Sequence, residues 1–540
     1  MLRSRPSTTT VVVGAALTLG AMAVMAAAPG SPYQPLLTPN GQPWGPLTAV
    51  ADAIGLDAVS GNLQLALGVA VTVAAVAAFL ALLREAFRGK VSVATVAGLV
   101  VTAHVLLVFV PLLFSRDVYS YAFYGRIAGT YGANPYVDTP LDHSNDMLWN
   151  YVGPKWVDTP AVYGPVWTSI SAWMSRFLQR PADHVEAYRL LAIGVSLVTC
   201  GVIAWTARRL WPERTAFALA AFGANPVVLF HSVASGHNDM LVALSIVTSL
   251  ALVLRRRELP AVAVLTLGAL VKAPAVLPLA LLIVWCVARR PPNERRRAVL
   301  THAGIAVAIS LAFAVPYMQT KDPSLGMVTL AGNEGWLAPS VGLARVLDFV
   351  SLETLGWLAR LAFGAVLLWA FLRIAREAWR RAAHAGSAGR PVHPADPSDR
   401  IPANDPAFAA DVRSLGATWG WALVLLTLLG PVLLPWYVVW SLPVVWLLPR
   451  SVRTALIATS ALLAVTLWSA EPLRYPGAFD VDLFIGRWVV TPVFLLLLLR
   501  ALRDLGARLS LGLPFHDDSP PLVVLSEPAP QQDRVPASAG

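Results

Sequence analysis

Polar residues that could carry out acid–base chemistry are rare in this chain and fall in a few short motifs. The first is SRDVYSYAFYGR at 115–126, which contains Asp117 and directly follows an apolar run that ends VFVPLLF. A carboxylate at that position can accept a proton from a hydroxyl group, and partial burial would raise its pKa toward a useful value. Alternatively, Asp117 is only the N-cap of a helix. Arg116 and Tyr119 lie beside it as candidate ligand contacts.

A second polar group is HSVASGHND at 231–239, which contains His231, His237, Asn238 and Asp239 between two apolar runs. Two imidazoles, an amide and a carboxylate are unfavourable at membrane depth, so such a group indicates a functional site. A metal site built from the two histidines and the aspartate would need a ligand spacing that these residues do not show. Hydrogen bonding to a phosphate or a sugar fits better, and no metal or other cofactor is predicted.

Cations form the third group, and each adjoins aromatic or apolar residues. Lys272 lies in LVKAP at 270–274, and Arg474 and Arg487 lie near the last apolar run. Positive charges at a hydrophobic cleft fit a phosphate that is carried on a lipid. The alternative for Lys272 is a lysine that only extends its side chain toward water near a helix end.

Aromatic residues accompany these groups. WVDTPAVYGPVW at 156–167 contains Tyr163, and PWYVVW at 435–440 contains Trp436 and Tyr437. Aromatic faces and hydroxyls suit sugar rings, and the prolines around Tyr163 impose fixed turns on that surface. Anchoring at the membrane interface would explain the aromatic residues alone.

The composition shows which elements must position these residues. Of 540 residues, 56% are hydrophobic and only 13% are charged, and the mean hydropathy is +0.61. The apolar runs are continuous and lack the period-two alternation of barrel strands, so an all-α polytopic membrane protein is predicted. We expect about fourteen transmembrane helices, or thirteen if residues 1–28 are a cleaved signal segment. The net charge of +10 comes largely from basic residues that flank the runs, which indicates membrane lipid rather than nucleic acid as the partner.

The basic clusters occur at every second connection, which predicts that both termini are cytoplasmic and that the polar motifs face outward. The largest outward connection is residues 115–187, after the third span, and its aromatic and proline content favours ordered structure. Residues 383–412 and 513–540 are rich in Pro, Ala and Asp and are predicted to be disordered and cytoplasmic. Cys200 and Cys286 lie inside apolar runs, so no disulfide is predicted.

The order of these motifs resembles that in the actinobacterial α-1,6-mannosyltransferases of the GT-C superfamily. The matching motifs are, in sequence, SRDVYSY, NPY, DTPAVYGPVW, GHND, LVKAP and PWYVVW. The resemblance covers roughly residues 115–440 and implies a GT-C-type catalytic domain over 29–512 in the plasma membrane. It implies an inverting, metal-independent transfer from polyprenyl-phosphate mannose to a mannan or lipoglycan acceptor during lipomannan synthesis. Asp117 matches the position of the general base. Asp239 stands where a glutamate is also familiar, which leaves acceptor and linkage open.

The remaining candidate residues are assigned by charge and hydrogen-bonding capacity. The candidates for binding the donor phosphate are Lys272, Arg487, Arg474, His231 and His237. The candidates for binding the sugar or the acceptor are Arg116, Tyr119, Tyr163, Asn238, Asp239, Trp436 and Tyr437. Two alternatives remain: an enzyme that uses polyprenyl-phosphate arabinofuranose or glucose, and a lipid or sugar transporter or flippase. A carrier should place polar groups near the membrane midplane, whereas these motifs cluster at one surface.

Overall fold

The computed structural model describes residues 7–37, 45–319, 324–327, 337–346, 352–387, 405–466 and 475–516. All regular structure in these residues is helical, which confirms the predicted all-α class. Their α-helices are α1 (Thr8–Ala27), α2 (Pro46–Ala53), α3 (Gly61–Phe87), α4 (Val93–Leu107), α5 (Asp117–Gly129), α6 (Pro165–Ser175), α7 (Pro181–Leu210), α8 (Thr215–Gly223), α9 (Asp239–Leu254), α10 (Glu258–Ala269), α11 (Val276–Ala288), α12 (Pro292–Ala314), α13 (Pro339–Val346), α14 (Leu352–Ser387), α15 (Pro406–Leu429), α16 (Arg450–Thr466), α17 (Pro476–Ile485) and α18 (Thr491–Leu511).

Seven stretches of helix among the described residues are long and apolar enough to cross a membrane. They are α1, α3, α7, α12, α14, α15 and the continuous stretch Leu483–Leu511 that ends in α18. An eighth span results if the helical segment Pro212–Gly223 is joined to the π-helix Val227–Val233, which is bent from it by 42°. The chain is therefore a multi-pass membrane protein, but the predicted number of about fourteen spans is not confirmed.

The difference arises because several apolar runs form short elements. α4, α9, α10 and the segment Ala273–Ala288 have only 10–17 residues. At 1.5 Å per residue, α9 reaches about 24 Å, which is less than the hydrocarbon thickness of about 30 Å. The apolar run at 437–449, counted among the fourteen expected spans, instead consists largely of two 3₁₀ turns, each with a proline at its start. Apolar runs of this length can belong to a buried core as well as to a membrane span.

The long helices divide into a central one and peripheral ones. In α15, 83% of the most apolar stretch is buried inside the protein, whereas the corresponding value is 11% for both α12 and α14. The apolar side chains that α12 and α14 expose are suited to lipid contact. The protein core therefore surrounds α15, and it contains the fully buried Trp419 and Trp421.

The segment 115–187 is structured, and its helices α5 and α6 pack closely together. Glycines make this close approach possible, because a Cβ at Gly125 would overlap the backbone of Ser171 and a Cβ at Gly129 would overlap that of Ala172. The C-terminal half of α5 is thereby packed tightly against α6.

The segment 383–412, predicted to be disordered, is helical at both ends. Residues 383–387 complete α14, and residues 406–412 begin α15, while residues 388–404 lie outside the described residues. Asp405 accepts a hydrogen bond from the Phe408 amide, which explains why α15 begins earlier than composition suggests. Of the predicted disordered tail, residues 513–516 are described, and Phe515 is buried beside Trp421.

Candidate active site

Asp117 is the first residue of α5 and does not cap it. The N-cap position is occupied by Arg116, and no side-chain hydrogen bond caps this helix. Instead, the Asp117 amide donates a hydrogen bond to the Ser115 hydroxyl at 3.1 Å. The N-cap interpretation of Asp117 is therefore wrong, and its carboxylate is available for other contacts.

The Asp117 carboxylate lies beside an imidazole and a phenol. Its Oδ2 atom is 3.6 Å from Nδ1 of His237, and the Tyr163 hydroxyl is a hydrogen-bonding neighbour. The same His237 nitrogen is 3.2 Å from the hydroxyl of Tyr121. The Asp117 side chain is 20% exposed, whereas that of His237 is fully buried. The Asp117 carboxylate is therefore accessible on one side, and His237 lies next to it on the buried side.

Tyr121 was missed in the sequence, although a signal was present. Residues four apart lie on the same face of a helix, so Tyr121 must lie on the same face of α5 as Asp117. Tyr119 is on another face, where its ring packs 5.0 Å from that of Tyr151. The structure therefore places Tyr121, rather than the predicted Tyr119, next to Asp117.

Burial affects the titration of both Asp117 and His237. It raises the pKa of the Asp117 carboxyl above its usual range, although the nearby Lys272 ammonium acts in the opposite direction. Burial also lowers the pKa of His237 well below its usual value, and the positive charge of Lys272 adds to this effect. His237 is therefore neutral near pH 7, so it supports Asp117 as a polar neighbour and not as a counter-ion.

The turn that carries His237 is shaped by glycine. Gly236 has a φ of +66°, in the left-handed region, and a Cβ at this residue would lie 2.9 Å from Val118 of α5. The GHND turn can approach α5 this closely because the residue has no side chain. This approach brings His237 to Asp117.

Lys272 and Asp239 form a buried ion pair. The Lys272 Nζ atom is 2.9 Å from each carboxylate oxygen of Asp239, and the Trp440 indole donates to Oδ1 at 2.6 Å. Asp239 begins α9, and Lys272 follows the short turn after the end of α10, so the pair joins the ends of two helices. The rings of Tyr437 and Trp440 lie 4.7 Å and 5.7 Å from Nζ. The charge of Lys272 is thus largely balanced within the protein.

A cavity of about 220 Å³ opens beside this ion pair. Lys272, Tyr437 and Trp440 form its polar side. The rest is mainly apolar and includes Leu277, Leu426, Pro431 and Val432. The arrangement suits a ligand that has an anionic or polar head and a hydrocarbon tail.

Two more predicted residues belong to this cluster. The Trp436 ring stacks on His237 with centroids 3.9 Å apart. Asn238 is 1% exposed, and within the described part of the chain its side-chain amide has no hydrogen-bond partner. Buried amides are normally paired, so Asn238 is available to a ligand.

Three of the other predicted residues, which the structure describes, have their recorded contacts with groups other than the Asp117 carboxylate. His231 stacks on Phe114 at 4.1 Å, and the Arg116 guanidinium donates to the backbone carbonyl of Leu36. Arg487 lies on the π-helical turn Gly486–Val490, with its guanidinium 5.0 Å from the Trp488 ring. Arg474 lies outside the described residues.

Residues 8–289, more than half of the chain, match the family described as alpha-(1→6)-mannopyranosyltransferase, N-terminal domain. The chain is 26% identical over 441 residues to alpha-(1→6)-mannopyranosyltransferase A of Mycobacterium tuberculosis, covering 77% of this chain and 76% of that protein. It is 29% identical over 183 residues to the protein of the same name from Corynebacterium glutamicum, covering 33% and 36% of the two chains. No solved structure matches significantly. The motif resemblance is confirmed: the chain belongs to the alpha-(1→6)-mannopyranosyltransferase family and is a glycosyltransferase.

Proposed function

We propose that this mannosyltransferase takes mannose from polyprenyl-phosphate mannose. The cavity beside Lys272 is the observation that carries the proposal, because it combines one ammonium group with an otherwise mainly apolar wall. A phosphate on a prenyl chain has the matching chemistry, with a charged head and a hydrocarbon tail. A soluble sugar nucleotide would need polar contacts along its whole length.

In the proposed reaction, Asp117 is the general base. Its carboxylate removes the proton from an acceptor hydroxyl, whose oxygen attacks the anomeric carbon of mannose as the bond to the phosphate oxygen breaks. Attack from the face opposite the phosphate inverts the configuration, so a β-linked donor yields an α product. The neutral His237 and the Tyr163 hydroxyl orient the carboxylate, and its partial exposure admits the acceptor.

Lys272 stabilises the phosphate as it leaves. Its ammonium group has three N–H donors, two of which are directed to Asp239, so the third can serve a ligand in the adjoining cavity. This interaction strengthens as negative charge develops on the leaving phosphate. Arg487, Arg474, His231 and His237 were the other candidates for this task, and the cavity favours Lys272 over them.

We place the reaction on the non-cytoplasmic face of the plasma membrane. The alternation of basic connections supports this orientation, and it puts residues 115–187 on the same side as the GHND and LVKAP motifs. A mannan or lipoglycan acceptor, to which the enzyme adds α-1,6-linked mannose, is accessible there.

The donor can be tested with purified full-length enzyme in lipid vesicles and an oligomannoside acceptor. Radiolabelled polyprenyl-phosphate mannose should give an α-1,6-linked product, whereas the corresponding arabinofuranose and glucose donors and GDP-mannose should give none. Product formed from another lipid-linked sugar would change the proposed donor. Movement of labelled lipid across the vesicle membrane without transfer would instead favour a flippase.

The pH dependence of transfer should reflect the raised pKa of Asp117. A base acts only when it is deprotonated, so the rate should fall as the pH decreases through this pKa, which lies above the usual value of 3.8 for aspartate. The measurement is kcat/KM against pH, with far-ultraviolet circular dichroism at each pH to show that the fold persists. A rate that remains constant down to the usual pKa of aspartate would contradict the assignment.

A further inference from the structure

Three side chains of types that can bind a metal ion converge at the N-terminal end of α10, the end far from Lys272. Glu258 is the first residue of α10, Cys286 lies in the last turn of α11 and His302 lies in α12. One donor atom from each lies within 4.8 Å of the other two, and all three residues are buried. In the part of the chain that the structure describes, they form the one group of three such residues close enough to hold a metal ion.

The hydrogen bonding of His302 leaves one ring nitrogen directed into this cluster. Its Nδ1 atom is 2.7 Å from the carbonyl oxygen of Ala298, and a carbonyl can only accept, so Nδ1 carries the hydrogen. In the neutral ring, Nε2 then holds a lone pair. A histidine that binds a metal commonly has this arrangement, with its other nitrogen donating to a backbone carbonyl.

The Nε2 atom of His302 lies 3.3 Å from Oε2 of Glu258, yet within the described residues it makes no hydrogen bond. Oε2 accepts a hydrogen bond from Arg290 at 2.8 Å, and the Cys286 thiol is a further hydrogen-bonding neighbour of the Glu258 carboxylate. Two electron-pair donors that face each other in a buried site repel unless a cation lies between them.

The chemistry of the three donors selects the cation. Thiolate, imidazole and carboxylate together suit Zn²⁺, which binds sulfur, nitrogen and oxygen in tetrahedral sites. The neighbouring Arg290 is paired with Glu258, and Arg289 is paired with Asp411, so both arginines have carboxylate partners that reduce their repulsion of a metal ion.

We propose that Glu258, Cys286 and His302 bind a zinc ion that links the ends of α10, α11 and α12. On binding, the Cys286 thiol releases its proton to solvent, and the thiolate, Nε2 of His302 and a carboxylate oxygen of Glu258 become ligands, with water in the fourth position. Lys272 follows the other end of α10, about 18 Å away by helix rise, so this metal is structural and takes no part in the transfer.

The first test uses the full-length protein in detergent, stripped of metal with a chelator and titrated with Cd²⁺ alone. We expect one equivalent to bind and to produce a thiolate-to-metal charge-transfer band in the ultraviolet. After incubation with Zn²⁺ and desalting, metal analysis should give one zinc ion per chain. If the wild-type protein binds no stoichiometric metal, only a proton lies between Glu258 and His302, and the proposal fails.

Two cysteine variants localise the metal. Cys286→Ser should lose the charge-transfer band, whereas Cys200→Ser, which changes the other buried free cysteine, should keep it. His302→Gln should weaken Cd²⁺ binding by about tenfold or more. The site is remote from Asp117, so Cys286→Ser should still transfer mannose under mild conditions. This activity serves as the control that the variant is folded. A charge-transfer band that persists in Cys286→Ser would overturn the proposal. If that variant does not fold, the titrations of the wild-type protein and Cys200→Ser still show whether a cysteine other than Cys200 binds the metal.

Discussion

Asp117→Asn should reduce mannosyl transfer by about 10²–10⁴-fold, the contribution that general base catalysis commonly makes. Asparagine has nearly the same shape but cannot take up a proton at neutral pH. The amide can still contact Tyr163 and His237, so the local packing should change little. Transfer from polyprenyl-phosphate mannose and binding of the donor are measured in parallel, and donor binding should remain near the wild-type value.

Asp142→Asn is the matched control for this experiment. Asp142 is an exposed carboxylate in the same 115–187 segment, and its asparagine replacement can still accept a hydrogen bond from Thr139. It should transfer mannose at nearly the wild-type rate. Full turnover by Asp117→Asn would show that another group accepts the proton, whereas equal losses in both variants would indicate damage to the segment.

The sequence predicts which motifs meet but not every contact between them. The topology predicted from the sequence has Asp117, His237, Asp239 and Lys272 on one side of the membrane, and the structure brings these residues into neighbouring positions. The pairing of Lys272 with Asp239 was not predicted, because these residues were assigned separate tasks. Whether two side chains point at each other depends on how helix ends pack, and hydropathy does not contain this information.

The number of spans was the least predictable feature of the fold. An apolar run shows that a segment avoids water, but it does not distinguish lipid from the protein interior. The run around PWYVVWSLPVVWLL is apolar throughout, yet Pro435 and Pro443 each lie at the start of a 3₁₀ turn. A proline inside an α-helix removes a hydrogen bond, which explains why this run does not form one continuous helix.

Lys272→Ala should destabilise the protein by about 3–5 kcal/mol, the effect usually seen when one partner of a buried ion pair is removed. The carboxylate of Asp239 would remain fully buried. It would lose its contact with Lys272 and keep the hydrogen bond from the Trp440 indole. The free energy of unfolding is measured in detergent for this variant and for Lys155→Ala, which removes an exposed lysine and should change little.

The double variant Lys272→Met with Asp239→Asn separates stability from catalysis. Removing both charges eliminates the unpaired carboxylate, so the double variant should recover most of the stability that Lys272→Ala loses. Mannosyl transfer should nevertheless stay low, because methionine cannot neutralise the charge that develops on the departing phosphate. A stable double variant that transfers mannose at the wild-type rate would limit Lys272 to a structural role. If Lys272→Ala is as stable as the wild-type protein, the buried pair itself is called into question.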